Sequence, residues 1–235
     1  MLDGLIQRLT SKPELLHEYA ALRSGLNLGS SSGGCKSVLV TSAQPLDGKT
    51  TIVLDLGLTA MLSGRKVIIV DADLRKPRIH EALELPNTLG LSDILGARTH
   101  AREVIQTVKA MGGNLLDDRS VSVITTGLGG APLTETLGGP TLKDAIGELT
   151  RAYDVVLVDS PPVLAADDAL LLAPLVDGVI VVVHTGIVTE RDLKLTKARL
   201  EGVGGRVLGV VMNRFDPRVH GPGAHPYAAR YYERG

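Results

Sequence analysis

Two aspartates with one residue between them follow an apolar, β-branched run. Asp71 and Asp73 come directly after residues 68–70, and a basic pair and Pro77 follow at once. Upstream, residues 47–51 read Asp-Gly-Lys-Thr-Thr, which is the composition of a phosphate-binding turn. Carboxylates facing such a turn are what a magnesium–nucleotide site requires. The types and spacing of these residues therefore predict chemistry on a nucleotide that is bound with Mg²⁺.

The phosphate turn lies between a predicted strand and a predicted helix, as a P-loop requires. In this interpretation, backbone N–H groups at the helix N-terminus hold the phosphates, Lys49 neutralises the β- and γ-phosphates, and the Thr50 hydroxyl binds Mg²⁺. Ala43 stands where the strict pattern has glycine, so an ordinary strand-to-helix turn with an exposed lysine is the alternative. The predicted nucleotide-binding residues of this turn are Gln44, Pro45, Leu46, Asp47, Gly48, Lys49, Thr50 and Thr51.

A third carboxylate, Asp159, ends a second apolar run at residues 154–159. In open α/β sheets the ligand crevice lies at the carboxyl ends of the strands, and all three aspartates fall there. Asp159 is therefore predicted to contact Mg²⁺ or one of its water molecules. A solvated aspartate at a strand end is the simpler alternative.

The elements that must position these residues alternate along the chain. Strands that are apolar on both faces alternate with helices, which predicts an α/β fold with a mainly parallel sheet covered by helices on both faces. Residues 90–113 are predicted as helices and loops, and residues 126–140 as a loop. The predicted strands are 37–41, 66–70, 121–125, 154–159, 178–184 and 207–212; the predicted helices are 1–28 (restarting at Pro13), 49–63, 142–151, 167–173 and 190–201.

Length and composition favour one domain. A chain of 235 residues with 44% hydrophobic content can bury one α/β core, predicted here as residues 1–216 with an N-terminal helical segment 1–28 and a flexible tail 217–235. The net charge of −1 offers no field that would favour nucleic acid. Cys35 is the single cysteine, which fits a reducing cytoplasmic setting. No apolar run reaches the ~18 residues of a membrane span.

Three motifs together resemble the nucleotide motifs of the bacterial protein-tyrosine kinases, the cytoplasmic kinases of capsular and exopolysaccharide assembly with a P-loop NTPase fold. The resemblance runs from about residue 17 to residue 215 and is most specific over residues 71–77. Residues 131–137 and 210–214 resemble weaker stretches of the same family. The three motifs are Ser-Ala-Gln-Pro-x-x-Gly-Lys-Thr-Thr at 42–51, Val-Asp-Ala-Asp-Leu-Arg-Lys-Pro at 70–77 and Val-Asp-Ser-Pro-Pro at 158–162.

The resemblance implies ATP and Mg²⁺ as cofactors and assigns roles to the site residues. Asp71 would accept the proton of a tyrosine hydroxyl, and Lys49 would bind phosphate. Asp73 and Asp159 would organise Mg²⁺ together with Thr50. The segment 210–214 resembles the one whose asparagine contacts adenine, which points to Asn213 and, beside it, Arg214.

The C-terminal tail offers phosphate acceptors. Tyr227, Tyr231 and Tyr232 crowd into the last nine residues, and the family carries such a cluster that is phosphorylated between neighbouring subunits. A disordered tail that happens to hold three tyrosines is the alternative. The resemblance also implies a membrane-spanning activator or chain-length regulator, a cognate tyrosine phosphatase, and a cytoplasmic location at the inner face of the plasma membrane through the activator. The chain is then either a kinase that borrows its activator or a cytoplasmic fragment of a kinase fused to one.

Two departures from the family pattern bear on these expectations. Leu46 stands where the family usually has glycine, and it is strained if the loop needs a positive φ there. The resemblance implies a homo-oligomer, which in this family includes rings, formed through the N-terminal helix. Only Arg23 of the family's Glu-x-x-Arg-x-x-Arg pattern is in place, because Ala20 occupies the middle position and Glu18 is displaced by one. The helix stripe at Leu15, Tyr19, Leu22 and Leu26 could equally pack on the chain's own core.

Two other functions stay open at this stage. An ATP-driven switch of the partitioning or cell-division-positioning type usually places a second lysine near the start of the phosphate loop, where this chain has Gln44. A weakly active nucleotide-binding scaffold is favoured only by Leu46. The basic residues 75, 76 and 78 could contact substrate, activator or nucleotide, or form a solvated loop.

Overall fold

A single sheet carries the fold. The computed structural model describes residues 2–29, 34–110, 119–128 and 136–215. The strands in this part of the chain are β1 Ser37–Ser42, β2 Val67–Asp71, β3 Gln106–Lys109, β4 Ser120–Ile124, β5 Val155–Asp159, β6 Gly178–His184 and β7 Val207–Asn213. They lie in the order β3-β4-β2-β5-β1-β6-β7. All neighbouring pairs are parallel except β3 with β4.

Helices cover both faces of this sheet, as predicted. They are α1 Leu2–Thr10, α2 Pro13–Gly25, α3 Lys49–Leu62, α4 Ile79–Leu83, α5 Leu91–Leu95, α6 Pro140–Ala152, α7 Asp168–Leu172 and α8 Glu190–Gly202, with short 3₁₀ turns at Ala101–Glu103 and Ala173–Leu175. One apolar cluster packs α1 to α4 on one face of the sheet, and a second packs α5 to α8 on the other. Because β1, β2 and β5 are buried along their whole length, their sequences are apolar on both faces.

One strand was not expected. Residues 90–113 were predicted as helices and loops, but Gln106–Lys109 forms the edge strand β3, antiparallel to β4. The segment is half-buried and alternates in exposure along its four residues, which is the pattern of an edge strand. A segment of four residues with a single apolar member, Val108, is too short for periodicity to separate it from a loop, so the prediction was wrong here.

The N-terminal helices pack on the helix that follows the phosphate loop. Tyr19 is buried, and Leu15, Leu22 and Leu26 are half-buried against the core cluster that contains α3. The stripe therefore packs on the chain's own core. The guanidinium of Arg8 also forms an ion pair with Asp55, a buried aspartate of α3.

The parallel strands bring their carboxyl ends to one edge of the sheet. In the register between β2 and β5, Asp71 lies opposite Asp159, and the Ala72 N–H donates to the carbonyl oxygen of Asp159 at 2.8 Å. Since β1 pairs with the other side of β5, the phosphate turn after β1 lies next to this pair of aspartates. No helix in the described ranges is long and apolar enough to cross a membrane.

Candidate active site

The phosphate loop, residues 43–48, is closed by hydrogen bonds from three directions. The Ser42 hydroxyl donates to the carbonyl oxygen of Gln44 at 2.7 Å, and the Gln44 N–H donates to the carboxylate of Asp47 at 3.0 Å. From the end of β7, the Asn213 side-chain amide donates to the Asp47 carbonyl at 2.8 Å. Asp47 is buried, whereas Pro45 and Leu46 are exposed. The loop thus has the strand–turn–helix context predicted for it, with a fixed backbone.

Leu46 has a positive φ, which is the condition under which strain is predicted at this position. Its φ is +67°, and its side chain is 83% exposed. A residue with a Cβ costs about 1 kcal/mol in this left-handed region, and the exposed leucine side chain gains little burial in return. The family's usual glycine would adopt the same φ without that cost.

Gly48 is required for two separate reasons, and replacing it by Ala is expected to weaken nucleotide binding. Its φ is +94°, and an added Cβ would lie 2.1 Å from the side-chain nitrogen of Asn213. The clash would push Asn213 off the Asp47 carbonyl and distort the loop. We expect Gly48→Ala to lower the affinity for Mg·ADP by at least ~10-fold in calorimetry, a loss of about 1.4 kcal/mol or more.

Gly64→Ala is the matched control for this prediction. Gly64 has a φ of +83°, but a Cβ there would meet no heavy atom within 4 Å. This variant carries the backbone strain without the clash, so it should lose about 1 kcal/mol of stability and bind Mg·ADP like the unmodified chain. Intact Mg·ADP binding in Gly48→Ala would contradict the expected role of the clash.

The helix after the loop supplies a cation and donors. Lys49 opens α3 and is only 8% exposed, and its ammonium lowers the pKa values of both Asp73 and Asp159 below what burial alone would give. The first N–H groups of this 14-residue helix have no intrahelical partner, as at the start of any α-helix. A buried ammonium with free backbone donors at a helix N-terminus is a site for an anion such as phosphate.

Thr50 and Asp159 form the pair that could hold a metal ion. The Thr50 hydroxyl donates to Asp159 Oδ2 at 2.7 Å. The second oxygen of this carboxylate, Oδ1, is buried and has no hydrogen-bond partner in the part of the chain that the structure describes. Mg²⁺ typically takes one or two protein ligands together with phosphate oxygens, and an unpartnered carboxylate oxygen beside a threonine hydroxyl fits that requirement.

Asp71 is held by the backbone of the loop that follows it. Its Oδ1 accepts the N–H of Asp73 at 3.2 Å, and its Oδ2 accepts those of Arg78 and Ile79 at 3.3 and 3.1 Å. Burial, reinforced by the neighbouring Asp159 carboxylate, raises the pKa of Asp71 to about 8. A carboxylate with a raised pKa is a stronger base than an exposed aspartate, so this environment suits the predicted proton acceptor.

Asp73 lies at the start of the same loop and is 9% exposed. Its Oδ1 accepts the N–H of Lys76 at 3.0 Å, which closes a tight turn. Burial raises its pKa, while the N–H of Lys76 and the ammonium of Lys49 oppose that rise. The structure therefore brings Asp71, Asp73, Asp159 and the Lys49–Thr50 pair to the same edge of the sheet.

Comparison with known proteins identifies the family. Residues 46–193 match a family described as an AAA domain. The chain is 32% identical over 196 residues to the tyrosine-protein kinase YwqD of Bacillus subtilis (strain 168), an alignment that covers 83% of this chain and 79% of that protein. The chain belongs to the bacterial tyrosine-kinase family of P-loop ATPases.

Solved structures of this family have the same fold. The crystal structure of the chimerical protein CapA2B2 matches with a TM-score of 0.77 and 29% identity, covering 90% of this chain and 89% of that one. The kinase domain of the Escherichia coli tyrosine kinase ETK matches with a TM-score of 0.75 and 28% identity, covering 86% and 78%. The P-loop NTPase fold predicted from the three motifs is confirmed.

The basic stretch of the family's most specific motif is engaged within the chain. Arg75 pairs with Asp168 through two bonds, and Arg78 pairs with Glu81 on the surface. Lys76 is exposed. A purely solvated loop therefore does not describe Arg75, and contact of this stretch with substrate, activator or nucleotide stays a prediction.

Three polar side chains near this site have contacts that the sequence did not predict. Asp192 accepts a hydrogen bond from the Gln44 side chain at 3.2 Å and caps α8 with Thr189; the Thr-x-x-Asp spacing of a capping box was its signal. Asp168 is buried at the start of α7, and sequence gives no signal for its burial. Asn213, predicted at the adenine, donates to the phosphate loop, and its Oδ1 accepts the N–H of Arg214 at 2.9 Å.

Several predicted features lie outside the described residues. Tyr227, Tyr231 and Tyr232 fall in the segment 216–235, as does the predicted boundary between domain and tail. Residues 131–135 of the weaker family motif also lie outside. These remain predictions from the sequence.

Proposed function

We propose that this chain is an ATP-dependent protein-tyrosine kinase that phosphorylates its own C-terminal tyrosines. The observation that carries the proposal is the register of β2 with β5. It places Asp71, with a pKa raised to about 8, beside Asp159 and across from the phosphate loop. A base next to a metal-binding carboxylate and a phosphate cradle is what transfer from ATP to a hydroxyl needs.

Each residue has a defined part in the reaction. The loop N–H groups and Lys49 hold the phosphates of ATP, and Thr50 and Asp159, with Asp73 nearby, hold the cation. Bound Mg²⁺ supplies charge neutralisation on the β- and γ-phosphates. Asp71 accepts the proton of the tyrosine hydroxyl, whose oxygen forms a bond to the γ-phosphorus as the bond to the β–γ bridging oxygen breaks. The products are phosphotyrosine and ADP.

The acceptors in this proposal are Tyr227, Tyr231 and Tyr232 of a neighbouring copy. A segment that follows the end of β7 starts at the nucleotide edge of the sheet, close to Asn213. Through the family resemblance, the proposal includes a membrane-spanning activator, a homo-oligomer, a cognate tyrosine phosphatase and control of capsule or exopolysaccharide synthesis. It places the kinase on the cytoplasmic face of the membrane through its activator.

Phosphotyrosine mapping tests this function. The purified chain is incubated with Mg·ATP and an activator segment, and its tyrosines are mapped by mass spectrometry. We expect phosphate on the three tail tyrosines, and loss of most of it in a triple Tyr→Phe variant. Tyr153 is buried and bonded to the Ser122 hydroxyl at 3.0 Å, so it should stay unmodified and serves as the internal control. A folded protein without phosphotyrosine would overturn the proposal.

A weakly active scaffold is the second candidate, and the positive φ of Leu46 is the observation that favours it. Calorimetry with Mg·ADP separates the two. No heat up to millimolar nucleotide would support the scaffold, whereas binding that strengthens in Leu46→Gly would show a kinase with a strained loop. Among the residues that the structure describes, no contact favours an ATP-driven switch. Gln44, which stands where that class usually has its second lysine, donates a hydrogen bond to Asp192 within the chain.

A further inference from the structure

An ion pair between Arg75 and the buried carboxylate of Asp168 joins the loop that carries Asp73 to α7. Arg75 Nε lies 2.9 Å from Asp168 Oδ2, and Arg75 Nη2 lies 3.2 Å from Asp168 Oδ1. The Asp168 side chain is completely buried, and that of Arg75 is about half-exposed. Two parallel N–H···O bonds between a guanidinium and a carboxylate fix direction as well as distance.

We propose that Asp168 is a positioning residue of the magnesium–nucleotide site, which acts through Arg75 on the loop that bears Asp71 and Asp73. This inference rests on the proposed function and deepens it. Asp168 touches neither nucleotide nor metal in this account. It holds the backbone between the end of β2 and the start of α4 in the conformation that directs Asp71 and Asp73 toward the site.

The contacts within the loop show why an outside anchor matters. Asp73 accepts the N–H of Lys76, and Asp71 accepts those of Asp73, Arg78 and Ile79. These bonds all lie between residues of one short segment. The start of this segment is held by the register of β2 with β5 and by the bond from the Ala72 N–H to the Asp159 carbonyl. The Arg75 fork adds a tie from the middle of the segment to α7, and so restrains the backbone beside Asp73, which lies beyond the paired strand.

The anchor itself sits on a rigid element. Ala169 and Leu172 of α7 are fully buried in the core. On its other side, Arg199 of α8 donates to the Val163 carbonyl at 2.7 Å and pairs with Asp167 at 2.6 Å. Asp168 is therefore held between the core and α8, and a side chain locked in this way can orient a loop.

Arginines of this loop form two ion pairs, and the burial of the acidic partner determines which of them can orient the loop. Arg78 and Glu81 are 66% and 56% exposed, and an exposed pair contributes little to structure. The Asp168 carboxylate is removed from water and has both oxygens bonded to Arg75. Breaking a buried pair leaves an uncompensated charge, so the loop is expected to move when either partner changes. Arg98→Gln is the matched control, since Arg98 is also half-exposed and pairs with a nearly buried aspartate, Asp93, outside the loop that carries Asp71 and Asp73.

The test separates cation-dependent binding from nucleotide binding. Titration calorimetry measures the affinity for ADP with Mg²⁺ and for ADP with EDTA, below the unfolding midpoint of each variant. We expect Asp168→Asn and Arg75→Gln to weaken binding of Mg·ADP about tenfold, the effect typical of residues that orient metal ligands. Binding of ADP in EDTA should change less than about twofold, because the phosphate loop is untouched. Arg98→Gln should leave both affinities unchanged.

Arg75→Lys and the double variant Arg75→Gln/Asp168→Asn guard against a merely structural effect. Lysine keeps the charge next to Asp168 but cannot form the fork, so folding should persist while Mg·ADP binding weakens. The double variant removes both charges, so no buried carboxylate is left unpaired. If its unfolding midpoint returns to that of the native chain while its Mg·ADP binding stays weak, the result supports a positioning role for Asp168. Equal loss of ADP and Mg·ADP binding, or no loss, would overturn it. A native chain that binds no Mg·ADP would overturn the proposed function as well.

Discussion

Replacing Lys49 by Met should lower tyrosine phosphorylation by at least ~100-fold, as removal of a charge that stabilises the transition state does, without unfolding the protein. The ammonium is nearly buried at the start of α3, beside the phosphate loop. Methionine has a similar length and is a good helix former, so the helix should persist. What is lost is the positive charge that neutralises the phosphates and keeps the pKa values of Asp73 and Asp159 from rising further.

Quantitative mass spectrometry of phosphotyrosine measures this effect, and circular dichroism monitors the fold. Lys143→Met is the matched control, since Lys143 is an exposed residue of α6 and the chemical change is identical. We expect the control to phosphorylate at the rate of the unmodified chain. Phosphorylation at an unchanged rate in Lys49→Met would mean that the reaction does not run through this loop.

Replacing Asp159 by Asn should stabilise the nucleotide-free protein at alkaline pH and abolish its response to Mg·ADP. Burial raises the pKa of Asp159 from its ordinary 3.8 to about 7. Folding therefore favours the protonated form of Asp159. Its contribution to the free energy of unfolding is fully present below about pH 4 and is lost as the pH rises through about 7. Asparagine carries no charge, so this loss disappears. We expect the variant to be more stable than the native chain at pH 8 by up to about 4 kcal/mol.

Thermal unfolding at pH 5 and pH 8, with and without Mg·ADP, measures both halves of this prediction. The native chain should gain stability from Mg·ADP and the variant should gain little, because the unpartnered Asp159 Oδ1 is the oxygen offered to the cation. Asp154→Asn, at the opposite end of the same apolar run, is the control; its carboxylate is half-exposed and accepts the Lys66 N–H at 2.8 Å. If Asp159→Asn keeps the pH dependence of stability of the native chain, the cost assigned to burying the ionised Asp159 carboxylate is wrong.

Nucleotide chemistry could be read from the chain because it depends on local patterns. A P-loop is a continuous segment, so Gly48, Lys49 and Thr50 are recognisable together, and the apolar runs before Asp71 and Asp159 predict strands that end at the same edge. Strain at Leu46 could also be anticipated from the sequence, since it depends on the φ angle of this one residue. The edge strand β3 was missed because four residues, three of them polar, carry too little periodicity to be told from a loop.

By itself, the sequence determined the α/β class, the phosphate turn and the identity of the three aspartates, because buried strands and glycine-dependent turns impose strict residue types. The tertiary structure decided how those residues meet. Strand register set Asp71 opposite Asp159, burial raised both of their pKa values, and Asn213 reached the phosphate loop across 166 residues. Arg75 found Asp168 in the same way, across 93 residues. Such pairings join residues far apart in the chain, and only the packing of the sheet and its helices specifies them.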